Sequence, residues 1–265
     1  MSPRLKVGAV AYLNTKPLVY QLDQFVPSAE LSFDLPSRLA DDLAVGKLDV
    51  ALIPSVEYFQ DPAYRIVSDA CIACRGPVLS VKLFSRVEAA KISTLALDEG
   101  SRTSVALIRI LLKERFGREP ETLPLPIGAT LADTTADAVL LIGDRAIHSP
   151  PERFAEVWDL GDQWCQWSGL PFVFAMWVAR SGVDISDLEP GLAVARDCGV
   201  EKLEQIAQAE AAALGLTVPQ CVSYLRDNLH FCLGPRECDG LELFHEKSIA
   251  LGLAPTKNGR LAIPV

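Results

Sequence analysis

The chain has 265 residues, 49% of them hydrophobic, enough for one very large core or two ordinary ones. Lys and Arg number 25 against 34 Asp and Glu, a formal charge of -9; such a surface repels phosphate backbones, which argues against a nucleic-acid partner and obliges any anionic ligand to find local donors. No stretch approaches the ~20 apolar residues of a membrane span, and no apolar region of ~7–15 residues follows Met1-Ser2-Pro3-Arg4-Leu5-Lys6, so a cytoplasmic protein with no membrane partner is expected.

The first third alternates short strands and helices. Lys6–Tyr12 is a predicted buried strand, followed by a helix over Pro17–Leu22, with Pro17 early in it, where its missing N–H is no loss. Leu31–Leu35 reads as a second strand, Pro36–Val45 as a helix ended by Gly46, Asp49–Ile53 as a third strand, and Ser55–Phe59 as the start of another helix. This βαβαβ order implies a parallel arrangement with helices on both faces. Strand-like runs follow at Tyr64–Ala73 and Pro77–Ser85, and then the pattern restarts. Thr94–Leu97 is a strand, Thr103–Phe116 a helix, Glu121–Leu125 and Ala138–Ile142 further strands, with a helix after Gly143. Leu170–Ala179 is too apolar for an edge and reads as a strand returning to the first lobe. From Asp187 the chain is predicted helical, over Leu188–Arg196, Val200–Leu214, Val218–Leu229 and Asp239–Leu251, with Gly215, Gly234 and Gly252 as stops. The expectation is two lobes around a cleft: residues 1–85 plus 178–265, including the helical tail, and residues 86–177.

Ligands of open parallel sheets bind beyond the carboxyl ends of the strands, so the residues that follow each predicted strand are the candidates. The first strand leads into Tyr12–Pro17, with Asn14; the third into Ser55 and Glu57. In the second lobe Asp98 to Ser104 follow one strand, Gly143 and Asp144 another, and the crossing run Pro77–Ser85 carries Ser80. The Ser101-Arg102-Thr103-Ser104 segment is the most informative, because hydroxyls and free N–H groups at a helix start form an anion seat. Each candidate also has a plainer reading. Ser101 serves equally as a helix cap, Asn14 as a turn residue, Ser80 as a satisfied core hydroxyl, Arg102 as a solvent-facing cation, and Glu57 and Asp144 as first-turn acids complementing a helix dipole. Asp98 reads as a loop organiser rather than an acid–base group.

Other chemistries lack support. His148, His230 and His245 are scattered away from the predicted strand ends, and the sequence places no Ser or Cys as the partner of any of them; no GxGxxG or P-loop is present, and no His accompanies the Cys71–Cys74 CxxC. The seven cysteines therefore read as structural thiols rather than metal or redox groups, and Trp164 and Trp167 as core packing rather than pocket lining.

Several segments carry a family likeness. Val7-Gly8-Ala9-Val10-Ala11-Tyr12-Leu13-Asn14-Thr15-Lys16-Pro17-Leu18, Leu48 through Ser55, Gly76 through Val81, Leu97-Asp98 with Ser101 through Ser104, Gly169 through Phe172, Tyr224-Leu225, and Gly240-Leu241 with Phe244 together resemble the chorismate dehydratases of the futalosine route to menaquinone. The resemblance implies an α/β fold of the periplasmic-binding-protein (type 2) kind, each lobe a mixed sheet flanked by helices. It implies loss of water from chorismate to give 3-[(1-carboxyvinyl)oxy]benzoate, with no metal or organic cofactor. On that basis Asn14 and Ser80 are the expected catalytic residues, orienting substrate groups beside the reacting carbons. Tyr12, Ser55, Ser101, Arg102, Thr103, Ser104, Gly143 and Asp144 are expected to hold the substrate. The proton acceptor stays open between Glu57, Asp144 and the substrate's own enolpyruvyl carboxylate. Two rivals share the fold: a 1,4-dihydroxy-6-naphthoate synthase, against which the segment after the first strand speaks, and a solute-binding protein for a small organic acid.

Overall fold

The computed structural model describes residues 4–148, 150, 152–186 and 188–256. Met1–Pro3, part of the stretch read for an export signal, and Asp187, from which the helical tail is expected, lie outside them. Two mixed sheets organise the chain. In the first, the strands lie in the order β11-β4-β10-β3-β1-β2, formed by His230–Cys232, Arg65–Cys74, Phe172–Ala179, Val50–Pro54, Leu5–Val10 and Ala29–Asp34. The second has the order β7-β6-β8-β5-β9, formed by Glu121–Leu125, Thr94–Asp98, Ala138–Ile142, Val81–Ser85 and Glu156–Asp159.

The βαβαβ reading holds locally: β1 is parallel to both β2 and β3, and β6 is parallel to both β7 and β8. Both sheets become antiparallel where the chain crosses between them. β10 pairs antiparallel with β3 and β4, and β5 with β8 and β9. β10 is buried at every residue, because it is central in its sheet, and its uninterrupted apolar run is the sequence expression of that position.

The places where the chain changes sheet differ from the expected boundaries. β5 lies in the second sheet, so the first crossing falls between Cys74 and Val81 rather than after residue 85. β10 lies wholly in the first sheet, so the return precedes Phe172 rather than following residue 177. Apolarity marks both strands as buried, but pairing with β8 or β3 decides which sheet owns them. The tail is not all helix: β11 adds a short edge strand antiparallel to β4. Gly46, Gly215 and Gly252 take left-handed φ values as stops, whereas Gly234 is extended and begins the following helix, Pro235–Ala250.

The helices, in chain order, are α1 (Leu22–Phe25), α2 (Pro36–Ala44), α3 (Ser55–Tyr58), α4 (Thr103–Phe116), α5 (Leu160–Ser168), α6 (Leu188–Glu201), α7 (Leu203–Glu210), α8 (Val218–Ser223) and α9 (Pro235–Ala250). α4 buries Ala106, Leu107, Ile108, Ile110, Leu111 and Leu112, because α5, α9 and both sheets pack around it. The segment after β1 is a 3-10 helix over Leu13–Val19, one residue beyond Tyr12 and earlier than the helix predicted from Pro17. α6 lies against it so closely that a Cβ on Gly199 would stand 2.1 Å from the Pro17 carbonyl oxygen. Among the described residues no helix is long and apolar enough to cross a membrane.

Candidate active site

A cavity of about 510 Å³, counted with the solvent-open space at its mouth, lies beyond the carboxyl ends of β1, β3 and β8 and at the start of α4. Val10, Pro36, Pro54, Ile72, Val78, Val81, Ile142, Phe174 and Ala175 form its apolar walls. Tyr12, Asn14, Ser80, Ser101, Thr103, Ser104 and Gly143 complete the lining. Among the described residues, no carboxylate, imidazole, amine or guanidinium is part of that lining. The polar groups are neutral, and Ser101, Thr103 and Ser104 stand at the start of a 14-residue helix, whose positive dipole end favours an anion.

Each lining residue is held by its own local device. Ser101 Oγ accepts the Ser104 N–H at 3.3 Å, so it caps α4 while bordering the cavity. Thr103 Oγ1 lies 3.3 Å from Ser55 Oγ and accepts the Val56 N–H at 3.2 Å, joining the start of α4 to the end of β3. Ser80 stands just before β5 rather than within a strand. The preceding Leu79 has φ +60, and the Asp159 carboxylate accepts the N–H groups of Val78 and Leu79 at 2.9 and 2.6 Å. Asn14 Oδ1 accepts a hydrogen bond from Thr15 Oγ1 at 3.4 Å. Gly143 adopts φ +74 and ψ -164, which leaves room for the Tyr12 ring: a Cβ there would come within 2.8 Å of it.

Charged groups surround the cavity without entering it. Asp98 organises its loop, accepting the Gly100 and Ile142 N–H groups at 3.0 and 3.3 Å and pairing with Arg145. Burial, reinforced by Asp98 and Asp144 and opposed by Arg145, pushes the Tyr12 phenol up to about 12. Tyr12 thus stays a neutral donor at any physiological pH.

Three expected substrate contacts, Ser55, Arg102 and Asp144, stand outside the lining and are already engaged. Ser55 Oγ donates to the Val173 carbonyl at 2.7 Å and is a buried strut between β3 and β10. Arg102 reaches from the second sheet's side to Asp41 at 2.7 Å and Glu57 at 3.1 Å, on α2 and α3 of the first. Its charge is therefore spent on carboxylates rather than left for an anion. Asp144 accepts the Leu13 N–H at 3.2 Å and so tethers the 3-10 segment to the end of β8. Burial raises the carboxyls of both Glu57 and Asp144, opposed by Arg102 in the first and by the Leu13 N–H in the second.

The remaining motifs fall away from the cavity. Cys71 and Cys74 are wholly buried in β4, with thiols pushed well up by burial. Trp164 packs at 5.1 Å against Phe172, its N–H donating to the Pro171 carbonyl. Among the described residues no group of His, Cys, Asp and Glu forms a metal-holding cluster. Sequence reasoning gave no role to Tyr224, whose buried hydroxyl faces Asn14 and Ser80. A tyrosine at an apolar-periodic helix position reads as core, and only the tertiary fold brings it under the cavity.

Comparison with known proteins places the chain in a family. A family model described as menaquinone biosynthesis matches residues 5–249. The chain belongs to this menaquinone-biosynthesis family. Within the family, the chorismate dehydratase of Thermus thermophilus is 33% identical, over 93% of this chain and 95% of that protein. The chorismate dehydratase of Campylobacter jejuni is 28% identical over 63% of this chain and 64% of its own length. Solved structures share the fold. A protein from Archaeoglobus fulgidus superposes with a TM-score of 0.74 at 18% identity, covering 95% of this chain and 99% of its own. The alkanesulfonate-binding protein of Xanthomonas axonopodis pv. citri, bound to MOPS, gives 0.65 at 15%, covering 96% and 95%. The architecture is that of the periplasmic-binding-protein fold, as the residue resemblance implies.

Proposed function

We propose that this chain is a chorismate dehydratase, removing water from chorismate to give 3-[(1-carboxyvinyl)oxy]benzoate in menaquinone biosynthesis. The observation that carries the reading is a cavity that, among the described residues, is lined by apolar and neutral polar groups, at the start of α4, in a chain 33% identical to a protein of that name. The lobes are the two sheets with their helices, and the substrate lies between them. Ser101, Thr103 and Ser104 seat one substrate carboxylate at the helix start. Tyr12 closes one side of the cavity beside Gly143. Asn14 and Ser80 orient the substrate where the bonds change, with neutral preorganised dipoles rather than charges.

In the reaction a proton leaves C3 and the hydroxyl leaves C4, together making water. The electrons of the C3–H bond become part of the aromatic ring, whose formation drives the step. Since no basic side chain lines the cavity among the described residues, we assign removal of the C3 proton to the substrate's own enolpyruvyl carboxylate, which passes it to the departing C4 hydroxyl so that water leaves. Holding that group over C3 is an intramolecular arrangement of the kind that supplies up to ~7–11 kcal/mol in the best cases.

The test is incubation of the protein with chorismate alone, followed by ultraviolet detection and mass analysis of the product. The expected result is an aromatic product lighter by one water. Binding without conversion would instead favour a solute-binding protein. Single replacement of Glu57 and Asp144 tests the base: abolished turnover with intact folding and binding at either position would overturn the substrate-carboxylate assignment.

A further inference from the structure

Tyr224 is 1% exposed and begins a π-helical turn, Tyr224–Asn228, that follows α8. Such turns are uncommon and occur often at functional sites. Its hydroxyl is a buried polar atom without a well-formed hydrogen bond, although it faces the Ser80 and Asn14 side chains that line the cavity. A buried polar group left in this state needs an explanation, because it weakens the fold.

The same turn is fastened to the Ser80 segment from its other end. Asn228 Nδ2 donates to the Pro77 carbonyl at 2.9 Å, and the Ser80 N–H folds back to the Val78 carbonyl at 2.7 Å. Two elements distant in sequence thus meet beside the cavity and bring the Tyr224 hydroxyl to the Ser80 and Asn14 side chains.

We propose that Tyr224 is a positioning residue for the dehydration, its hydroxyl donating from below to the Ser80 hydroxyl or the Asn14 amide oxygen when substrate fills the cavity. This rests on the functional reading above. With the Tyr224 proton given downward-facing acceptors, the Ser80 O–H and the Asn14 N–H groups are left aimed at the substrate. Burial raises the phenol further above its ordinary value than the neighbouring hydroxyl and amide lower it, so Tyr224 stays protonated and able to donate.

Stability and activity separate this role from simple packing. Tyr224→Phe removes only the oxygen, so the melting temperature is expected to hold or rise, while kcat for chorismate falls about tenfold to a hundredfold and KM changes by less than about threefold. In a Ser80→Ala background the same change is expected to cost less than about twofold more, because both act on one interaction. The proposal is overturned if Tyr224→Phe keeps the parental kcat, if it lowers the melting temperature or fails to fold, or if the two losses multiply. Failure of the unmodified protein to convert chorismate would overturn the functional reading, and this role with it. Conversion by the parent together with full activity of Tyr224→Phe would remove this role alone.

Discussion

Asp159 holds Leu79 in a left-handed backbone conformation. The carboxylate of Asp159, at the junction of β9 and α5, accepts the N–H groups of Val78 and Leu79, and Leu79 sits at φ +60 immediately before Ser80. A non-glycine residue in that region costs of order 1–3 kcal/mol and persists only when its surroundings impose it. The strain turns the chain so that Ser80 borders the cavity and the next residue enters β5.

Replacement of Asp159 by Asn puts an N–H donor where an acceptor is required. Asp159 also accepts the Asp162 N–H that caps α5, so every orientation of the amide leaves at least one buried N–H short of a partner. The expected cost is about 1–3 kcal/mol in urea unfolding, together with a fall in kcat as Ser80 drifts. An unchanged kcat in a destabilised Asp159→Asn protein would show that Asp159 supports only the fold.

Gly143 is constrained twice. Its φ of +74 with ψ of -164 lies in a region open essentially to glycine, and the space a Cβ would need is occupied by the Tyr12 ring. Gly143→Ala is expected to lose about 1–3 kcal/mol of stability and to displace Tyr12 across the cavity, raising KM for chorismate. Thermal unfolding and steady-state kinetics check both; a retained KM would show that Tyr12 does not border the bound substrate.

Thr103 ties the start of α4 to the end of β3. Its hydroxyl is buried between Ser55 and the Val56 N–H, so Thr103→Val, nearly the same shape, strands that N–H and costs about 1–3 kcal/mol. Thr103→Ser restores the oxygen and should recover most of the loss. Arg102 makes the more exposed tie, to Asp41 and Glu57, and Arg102→Ala should cost less, ~1 kcal/mol or under. Urea unfolding of the three variants orders these effects, and equal losses for Val and Ser at position 103 would discard the hydrogen-bond account.

How much of this was legible in the sequence depends on the length scale of each signal. Helix α4 and strands β7 and β8 lie where the pattern of residues predicts them, because their apolar periodicity is local and long enough to read. Asn14, Ser101, Thr103 and Ser104 lie after the predicted strand ends and border one cavity. β9, α5 and β11 were not legible. β9 and β11 are only four and three residues long, and α5, Leu160–Ser168, has too few apolar repeats for its burial against β5, β9 and β10 to show. Arg102 illustrates the other limit: its spacing after β6 suits an anion seat, but its partners Asp41 and Glu57 come from the other sheet, and nothing local in Ser101–Ser104 encodes them. Tyr224 is the same case, a core-like residue whose polar end matters only because the fold brings Ser80 and Asn14 to it.

Tyr12 gives the protein a measurable alkaline signature. An ordinary tyrosine ionises near ~10, whereas burial first, and then Asp98, hold Tyr12 at about 12. The folded state therefore keeps this proton more tightly than the unfolded chain does. Its contribution to stability is full below about 10 and is lost as pH rises from there toward 12, with a slope approaching ~1.4 kcal/mol per pH unit. Tyr58, Tyr64 and Tyr224 are also raised by burial and act in the same direction, so the parent alone cannot isolate Tyr12. The difference between parent and Tyr12→Phe can. Urea midpoints at about pH 9, 10 and 11 should fall more steeply for the parent than for the variant, while the two run parallel below that range. Parallel curves throughout would mean that Tyr12 ionises as freely in the folded protein as in the unfolded chain, and that the cavity wall formed by Tyr12 and Gly143 is open to water.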